Sequence, residues 1–174
     1  MFIDETGFRL QPVNRRTWSR RGETPVQKAW DRHDRLSVIG AVALSPSRRQ
    51  IATPFAIRET NVKAVDVVAF VKTLKRRWRR PLIIVWDRWN VHRSAEKQLN
   101  ASRLRRISFE LLPAYAPELN PVEPRWSHAK DADLANFVPD DVRQLKRSVN
   151  SSLKKHASAS TLKKSFFKSA KLRI

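Results

Sequence analysis

The chain contains no cysteine, no long apolar run and few acidic residues. The absence of cysteine excludes disulfides, thiol nucleophiles and thiolate zinc sites together. The four histidines are too scattered along the sequence to indicate a ligand cluster, so we expect any metal to be bound by oxygen. No apolar run approaches the roughly 18 residues of a membrane-spanning helix, and the first residues lack the pattern of a signal peptide. We therefore expect a soluble, cytoplasmic protein.

Basic residues greatly outnumber acidic ones. The 174 residues include 36 Lys and Arg against 16 Asp and Glu, which gives a formal net charge of +20. A surface with this charge attracts polyanions, and nucleic acid is the abundant polyanion inside cells. The length predicts about one domain, and a hydrophobic content of 41 % is enough for a real core. Charge thus indicates the partner, but it does not indicate the reaction.

The predicted order of elements is strands first, then alternating helices and strands. Short apolar runs predict strands at residues 36–44, 50–57, 82–86 and 107–112. The second of these is weaker, because Pro54 removes a hydrogen-bond donor and suits an edge. Helical periodicity predicts helices that begin near residue 61, cover residues 93–104, and run from a proline-rich loop to about residue 136.

The C-terminal segment differs in composition from the rest of the chain. Residues 142–174 contain ten basic residues and no acidic one, and apolar residues keep a helical spacing through the first part. The sequence therefore predicts a main domain over residues 1–138 and a basic helical extension over residues 139–174.

Three carboxylates follow or interrupt apolar segments in this basic chain. Asp4 comes after Phe2 and Ile3, where we expect the first strand to give way to a turn, and Asp87 closes the run 82–86. Glu123 follows Asn120 by three residues, which is also the spacing of a capping box. A turn residue, a helix cap and a capping box are the structural alternatives. Together, however, the three acids suit hard divalent cations that clamp a phosphodiester during cleavage.

Four ordered segments carry a family resemblance: residues 2–8 (FIDETGF), Trp18 with residues 21–25 (RGETP), residues 87–94, and residues 112–123 (LPAYAPELNPVE) with Trp126. They resemble the DDE catalytic domain of bacterial insertion-sequence transposases of the mariner-like superfamily. The resemblance covers roughly residues 1–135. It implies a ribonuclease-H-like α/β fold, with a mixed five-stranded sheet flanked by helices.

The resemblance also implies the site. Asp4, Asp87 and Glu123 would be the catalytic triad and would bind two Mg²⁺ ions, for which Mn²⁺ can substitute. Three further residues would lie near the metals and orient ligands or DNA, although a surface histidine or a turn asparagine is the alternative for each: Asn90, His92 and Asn120. The family usually has asparagine directly after its second aspartate, where this chain has Arg88.

The implied activity is cleavage of DNA and strand transfer during transposition. The implied partner is double-stranded DNA, at transposon ends and at the target, bound by a homodimer. Family members carry an N-terminal helix-turn-helix region, so we expect that portion to be encoded separately, and we expect the protein near the bacterial nucleoid. A catalytically inactive DNA-binding remnant is the alternative, and a cellular ribonuclease or junction nuclease on the same fold is a third.

Two basic stretches predict contacts with DNA phosphates. The first ends the helix that begins near residue 61, where cations also interact favourably with the helix dipole. The second lies in the C-terminal segment. The predicted DNA-binding residues are Lys75, Arg76, Arg77, Arg79, Arg80, Lys154, Lys155, Lys163 and Lys164.

Overall fold

A computed structural model describes residues 1–27, 34–102 and 104–172. The strands are β1 (Phe2–Arg9), β2 (Arg35–Leu44), β3 (Ile51–Ala52), β4 (Phe55–Arg58), β5 (Leu82–Trp86) and β6 (Ile107–Leu111). The helices are α1 (Ala64–Trp78), α2 (Asn90–Ala101), α3 (Glu123–His128), α4 (Val142–Ser158) and α5 (Ser160–Ser169). A π-helical turn, Ala129–Asp133, continues α3. Among the described residues, no helix has both the length and the apolar character that a membrane span requires.

The strands form one mixed sheet in the order β3-β2-β1-β5-β6, and β4 also pairs with β2. The β1–β2 pair is antiparallel, whereas β1–β5 and β5–β6 are parallel. The mixed sheet is confirmed, but it has six strands rather than five, because the single strand predicted at residues 50–57 is split at Thr53 and Pro54. Proline has no N–H for a ladder hydrogen bond, so pairing is interrupted at this point.

Helices cover both faces of the sheet. Side chains alternate along β2, so Ile39 and Ala41 join a core with α1 and α2, while Val38 and Val42 join a second core with α3, α4 and α5. Buried residues of the C-terminal helices in the second core are Leu145, Val149, Leu153 and Phe167. The basic segment therefore contributes apolar residues to the main fold, and the domain boundary after residue 138 stays a prediction.

Near the carboxylates, one local prediction was wrong and one structural alternative is excluded. The chain does not turn after Asp4, because Glu5, Thr6 and Gly7 continue the ladder with β2. Helix α3 starts at Glu123 with Val122 as its N-cap, so Asn120 does not form a capping box with Glu123. Instead, Asn120 Oδ1 accepts a hydrogen bond from the Val122 backbone N–H at 3.1 Å. A side-chain turn of this kind is a common alternative to a helix cap.

Candidate active site

The carboxyl ends of the parallel strands meet at one edge of the sheet. Phe2 of β1 pairs with Val85 of β5, and continuing this register places Asp4 beside Asp87, which directly follows the end of β5. Adjacent strands lie about 4.8 Å apart. Strand β6 ends next to β5, and the loop that follows it crosses the same edge. Sites in sheets with parallel strands commonly form at this position.

A pocket of about 400 Å³ opens at this edge. Asp4, Asp87 and Glu123, which come from a strand, a strand end and a helix start, all line it. The pocket is completed by Arg88, Trp89, Asn120 and residues 112–117. The structure therefore brings the three predicted acidic residues together, although they are separated by 83 and 36 positions along the chain.

Asp4 is partly buried, and other acids lie near it. Burial raises the pKa of Asp4 to about 8, and the negative charges of Glu123, Glu5 and Asp87 act in the same direction. The indole Nε1–H of Trp126 donates a hydrogen bond to Asp4 Oδ2 at 3.2 Å. This concentration of negative charge stands out in a chain with a net charge of +20. A divalent cation would relieve the repulsion between these carboxylates.

Glu123 lies within the electrostatic influence of an ammonium group outside the pocket lining, that of Lys130. Burial raises the pKa of Glu123, the charge of Lys130 opposes this shift, and Asp87 adds to it. Lys130 Nζ donates a hydrogen bond to Thr6 Oγ1 at 2.6 Å, so its charge is held on the α3 side of β1. Sequence analysis did not single out Lys130. The one feature of the sequence that could have indicated Lys130 is its position seven residues after Glu123 on the same helical segment.

Gly40 allows α3 to approach Asp4. It pairs with Asp4 across the β1–β2 ladder. A Cβ atom at this position would lie 2.3 Å from Trp126 Cη2 and 2.7 Å from Cζ2. The missing side chain thus leaves room for the indole that donates to Asp4 and that belongs to the same helix as Glu123.

Asp87 is fixed by two donors on one of its oxygens. Asp87 Oδ1 accepts hydrogen bonds from the Trp89 backbone N–H at 2.9 Å and from His92 Nδ1–H at 2.6 Å. The bond from His92 lowers the pKa of Asp87, against the effect of burial, and the bond from Trp89 acts with it. Both donors use Oδ1, and Oδ2 has no hydrogen-bond partner among the contacts found for the described residues. Asp87 therefore stays ionised and keeps one oxygen for a ligand.

His92 lies between two carboxylates. Its side chain is 1 % exposed, and its Nε2–H donates to Glu5 Oε2 at 2.9 Å. Burial alone lowers the pKa of His92, but the hydrogen bonds and charges of Asp87 and Glu5 outweigh it and raise the pKa to about 9. The ring also stacks on Trp86, with centroids 4.9 Å apart and an 8° angle between the planes. His92 is therefore a buried imidazolium whose two nitrogens are both occupied.

Glu5 is a residue that sequence analysis missed. It follows Asp4 directly, so its side chain points to the opposite face of β1, toward α2. The sequence could have indicated Glu5 only as a second acid within an apolar strand. Its partner, His92, is 87 positions away.

The other two predicted supporting residues differ in their surroundings. Asn120 is 4 % exposed, lines the pocket and holds the turn before Glu123 through its bond to Val122. Asn90 is an exposed residue at the start of α2. Its predicted role near a metal stays a prediction.

A family model described as DDE superfamily endonuclease matches residues 1–146. The chain belongs to this family. A comparison with the curated protein sequences finds no significant match.

Solved structures of a transposase share the fold of this DDE endonuclease. The Mos1 mariner paired end complex with Mn has a TM-score of 0.67 and 15 % sequence identity, over 98 % of this chain and 51 % of that chain. The corresponding complex with Mg has a TM-score of 0.61 at 15 % identity, over 98 % and 50 %. The catalytic domain of Mos1 mariner transposase has a TM-score of 0.56 at 13 % identity, over 98 % and 75 %. The chain spans about half the length of the transposases in the paired end complexes, and the ribonuclease-H-like fold is confirmed.

The site of this DDE endonuclease fits a divalent metal ion. Members of the superfamily use divalent metals, and carboxylate oxygens are the ligands that Mg²⁺ and Mn²⁺ prefer. In this chain Asp4, Asp87 and Glu123 supply such oxygens in one pocket, where the first and last have raised pKa values. Both nitrogens of His92 are already bonded to carboxylates, so the donor set of the pocket is oxygen alone.

The predicted DNA-binding residues lie in two places on opposite faces of the sheet. The first set ends α1, next to the start of β5, and the five residues of β5 span about 16 Å before Asp87. Within this set, Lys75 Nζ donates to the backbone oxygens of Arg80 and Arg106, at 2.6 Å and 3.2 Å. The other four, Arg76, Arg77, Arg79 and Arg80, are exposed.

The second set lies on α4 and α5. Lys154 and Lys164 are exposed. Lys163 Nζ donates to the Ala157 backbone oxygen at 2.9 Å, and Lys155 Nζ donates to Asp133 Oδ1 at 3.0 Å. Contact of either set with DNA stays a prediction.

Lys155 belongs to a second cluster with metal-binding residue types. Single ligand atoms of His128, Asp133 and His156 lie within 4.8 Å of one another. Asp133, however, already accepts hydrogen bonds from Ser152 at 2.7 Å, from Lys155 at 3.0 Å and from His156 at 2.8 Å. Burial raises the pKa of Asp133, but these bonds outweigh it and lower the pKa to about 2. The cluster therefore ties the π-helical turn to α4.

Proposed function

We propose that this chain is a transposase catalytic domain that cleaves DNA phosphodiester bonds and transfers the cut strand. Asp4, Asp87 and Glu123 would hold two Mg²⁺ ions, for which Mn²⁺ substitutes. One observation carries the proposal: three acids from distant parts of a strongly basic chain line one pocket at the carboxyl edge of a ribonuclease-H-like sheet.

The residues of the pocket support this chemistry in different ways. Divalent cations held by Asp4, Asp87 and Glu123 would supply positive charge for activating the attacking oxygen of water or of a DNA 3′-hydroxyl and for stabilising the leaving oxygen. Asp87 keeps Oδ2 for such a cation, because Oδ1 is held by Trp89 and His92. Trp126 orients the carboxylate of Asp4. No side chain is required as a covalent nucleophile.

One cation that lines the pocket and one beside Glu123 suit contacts with a DNA backbone. Arg88 is exposed and lines the pocket, and Lys130 stands beside Glu123. Arginine and lysine in such positions attract phosphate groups. The exposed arginines at the end of α1 and the lysines of α4 and α5 would extend the contact to double-stranded DNA beyond the pocket. One of the solved structures that share the fold is a paired-end complex of the Mos1 transposase with the left transposon end.

Nicking of supercoiled plasmid DNA tests the proposal. We expect nicking that depends on Mn²⁺ or Mg²⁺ and that falls at least about a hundredfold in Asp87→Asn, because loss of a ligand costs no less than loss of a residue that supports one. Asp140→Asn removes an exposed carboxylate outside the pocket and serves as the matched control. Equal activity of wild type and Asp87→Asn would remove Asp87 from the mechanism.

The alternative function gives a different result in the same assay. An inactive DNA-binding remnant binds plasmid in a salt-sensitive manner and shows no nicking with either metal. The intact set of three carboxylates argues against such a remnant. The homodimer on DNA, the separately encoded helix-turn-helix portion and action at the nucleoid stay predictions of the family resemblance.

A further inference from the structure

We propose that Glu5 is a positioning residue, which fixes the carboxylate of Asp87 through His92. This inference rests on the function proposed above. It adds a residue outside the acidic triad and gives His92 a defined task, which is to connect two carboxylates rather than to contact metal or DNA.

The geometry leaves His92 little freedom. Its ring is 1 % exposed, stacks on Trp86 and meets the ring edge of Trp89 at a centroid distance of 5.6 Å. In the plane of the ring, Nδ1–H points at Asp87 and Nε2–H at Glu5, at 2.6 Å and 2.9 Å. Rotation of the ring would break both bonds, so the position of Glu5 sets the direction in which Nδ1–H is presented to Asp87.

The hydrogen bonds of His92 link the two strands that carry the site. Asp4 and Glu5 are neighbours on β1, with side chains on opposite faces. Glu5 reaches His92 on α2, and His92 returns to Asp87 at the end of β5. Asp87 lies beyond the last paired residue of β5, so the sheet ladder alone does not hold it. These two hydrogen bonds therefore fix the position of Asp87 relative to β1, the strand that carries Asp4.

The surroundings of Glu5 indicate that its carboxylate is retained for more than packing. Its side chain is 9 % exposed, and Oε1 is buried with no hydrogen-bond partner among the described residues. A buried oxygen without a partner is unfavourable, and an apolar side chain of the same length would avoid it. The other oxygen, Oε2, makes the bond to His92. Holding His92 is thus the one polar contact that accounts for an acid at this position.

Binding of Mn²⁺ without DNA, measured by calorimetry, tests the inference. Glu5→Met keeps the side-chain length and removes the acceptor, and we expect it to weaken Mn²⁺ binding about 10- to 100-fold, as loss of a residue that orients a ligand does. Glu5→Gln keeps an acceptor for Nε2–H and should restore most of the affinity. Glu110→Met changes an exposed carboxylate on β6 and should bind Mn²⁺ as wild type does. Thermal unfolding in EDTA identifies any variant that has lost its fold.

A double-mutant cycle shows whether Glu5 acts through His92. We expect Glu5→Met to change Mn²⁺ affinity less than about twofold in a His92→Gln background, since residues of one hydrogen-bond network give non-additive effects. Additive losses would show that Glu5 acts by another route and would overturn the inference.

The outcomes separate this inference from the proposed function. If the wild-type protein binds no Mn²⁺, or if its binding does not depend on Asp87, the proposed function is refuted, and this inference is refuted with it. Asp87-dependent binding that Glu5→Met leaves unchanged would refute the role of Glu5 alone. If Glu5→Met does not fold, nitrogen-15 spectra of the wild-type imidazoles decide. Two slowly exchanging N–H protons on His92 support the connection, and a single one refutes it.

Discussion

Two clusters in this molecule join a buried histidine to carboxylates, and they balance charge in opposite ways. At the pocket edge, one imidazole, His92, serves two carboxylates, Asp87 and Glu5, and the third acid, Asp4, lies close by. In this cluster acceptors exceed donors. An oxygen of Glu5 is buried without a partner among the described residues.

The second cluster has one carboxylate and several donors. Asp133 accepts from a hydroxyl, an ammonium group and an imidazole. The pKa values express the contrast, because that of Asp4 is raised to about 8 while that of Asp133 is lowered to about 2. A carboxylate that accepts hydrogen bonds from several donors stabilises a fold, whereas an excess of negative charge in a pocket does not. The excess is therefore the better mark of a functional site.

The largest expected effect comes from filling the space beside Asp4. Gly40→Ala places a methyl group in the volume of the Trp126 indole, which should lower the free energy of unfolding by about 2–3 kcal/mol. The shifted indole would also loosen Asp4 and α3. We expect Mn²⁺ affinity to fall together with stability, as measured by calorimetry and urea denaturation.

Gly7→Ala is the matched control for Gly40→Ala. It lies on the same sheet, and a Cβ there would meet one backbone oxygen at 3.9 Å, an ordinary contact. We expect its stability and metal affinity to match those of wild type. Equal losses in both variants would mean that glycine matters for the β1–β2 ladder and not for the approach of Trp126.

A smaller effect, confined to stability, is expected at the second cluster. Asp133→Asn removes the charge that three donors share and should lower the free energy of unfolding by about 2 kcal/mol near neutral pH, the equivalent of the lowered pKa. Mn²⁺ affinity should stay at the wild-type value. Asp140→Asn, at an exposed position, controls for the substitution.

The pH dependence of this difference has a defined sign. The pKa of Asp133 is lower in the folded state than its ordinary value of 3.8, so the stabilisation is complete above that value and is lost as the pH falls toward about 2. The stability gap between wild type and Asp133→Asn, measured by urea denaturation, should therefore close in acid. If the stability difference widens in acid, or if the variant loses Mn²⁺ binding, the two clusters do not differ in the way described.

Local patterns in the sequence were sufficient to predict most of the strands and to single out the three acids that line the pocket. The run at residues 36–44 forms a central strand with both faces covered by helices, whereas the run at residues 82–86 is buried on one face and exposes Ile83 on the other. Asp87 and Glu123 lie in motifs with family resemblance, so their positions could be predicted without knowledge of any contact.

Contacts between distant segments could not be predicted in the same way. Glu5 reads as an exposed turn residue until His92 is placed against it, and Gly40 reads as a weak point in a strand until Trp126 is packed over it. Arg125 is fully buried, which its charge argues against. Its two terminal nitrogens donate to backbone oxygens of β2, α4 and the β3–β4 connection, while its buried Nε has no partner among the described residues, and no helical periodicity indicates this.

The smallest expected effect is the response of the second cluster to zinc. A site with free zinc at 100 times its dissociation constant would gain about 2.7 kcal/mol, which shifts the unfolding midpoint by several degrees. We expect no such gain. Asp133 already accepts hydrogen bonds from three donors, and His156 must give up the proton that Nε2 donates to Asp133 before this nitrogen can bind a metal. The ammonium group of Lys155 lies 3.0 Å from the same carboxylate, and the positive charge of Arg125 reaches His156.

Thermal unfolding in zinc and in EDTA, for wild type and for His128→Asn, measures this response. Zinc bound by the acidic pocket shifts both proteins equally, so only the difference between them reports on the second cluster. A shift present in wild type and absent in His128→Asn would show that His128, Asp133 and His156 form a nitrogen-containing metal site. The contrast between the clusters would then be one of ligand type, with oxygen ligands in the pocket and mixed ligands beside α4, rather than one of function against stability.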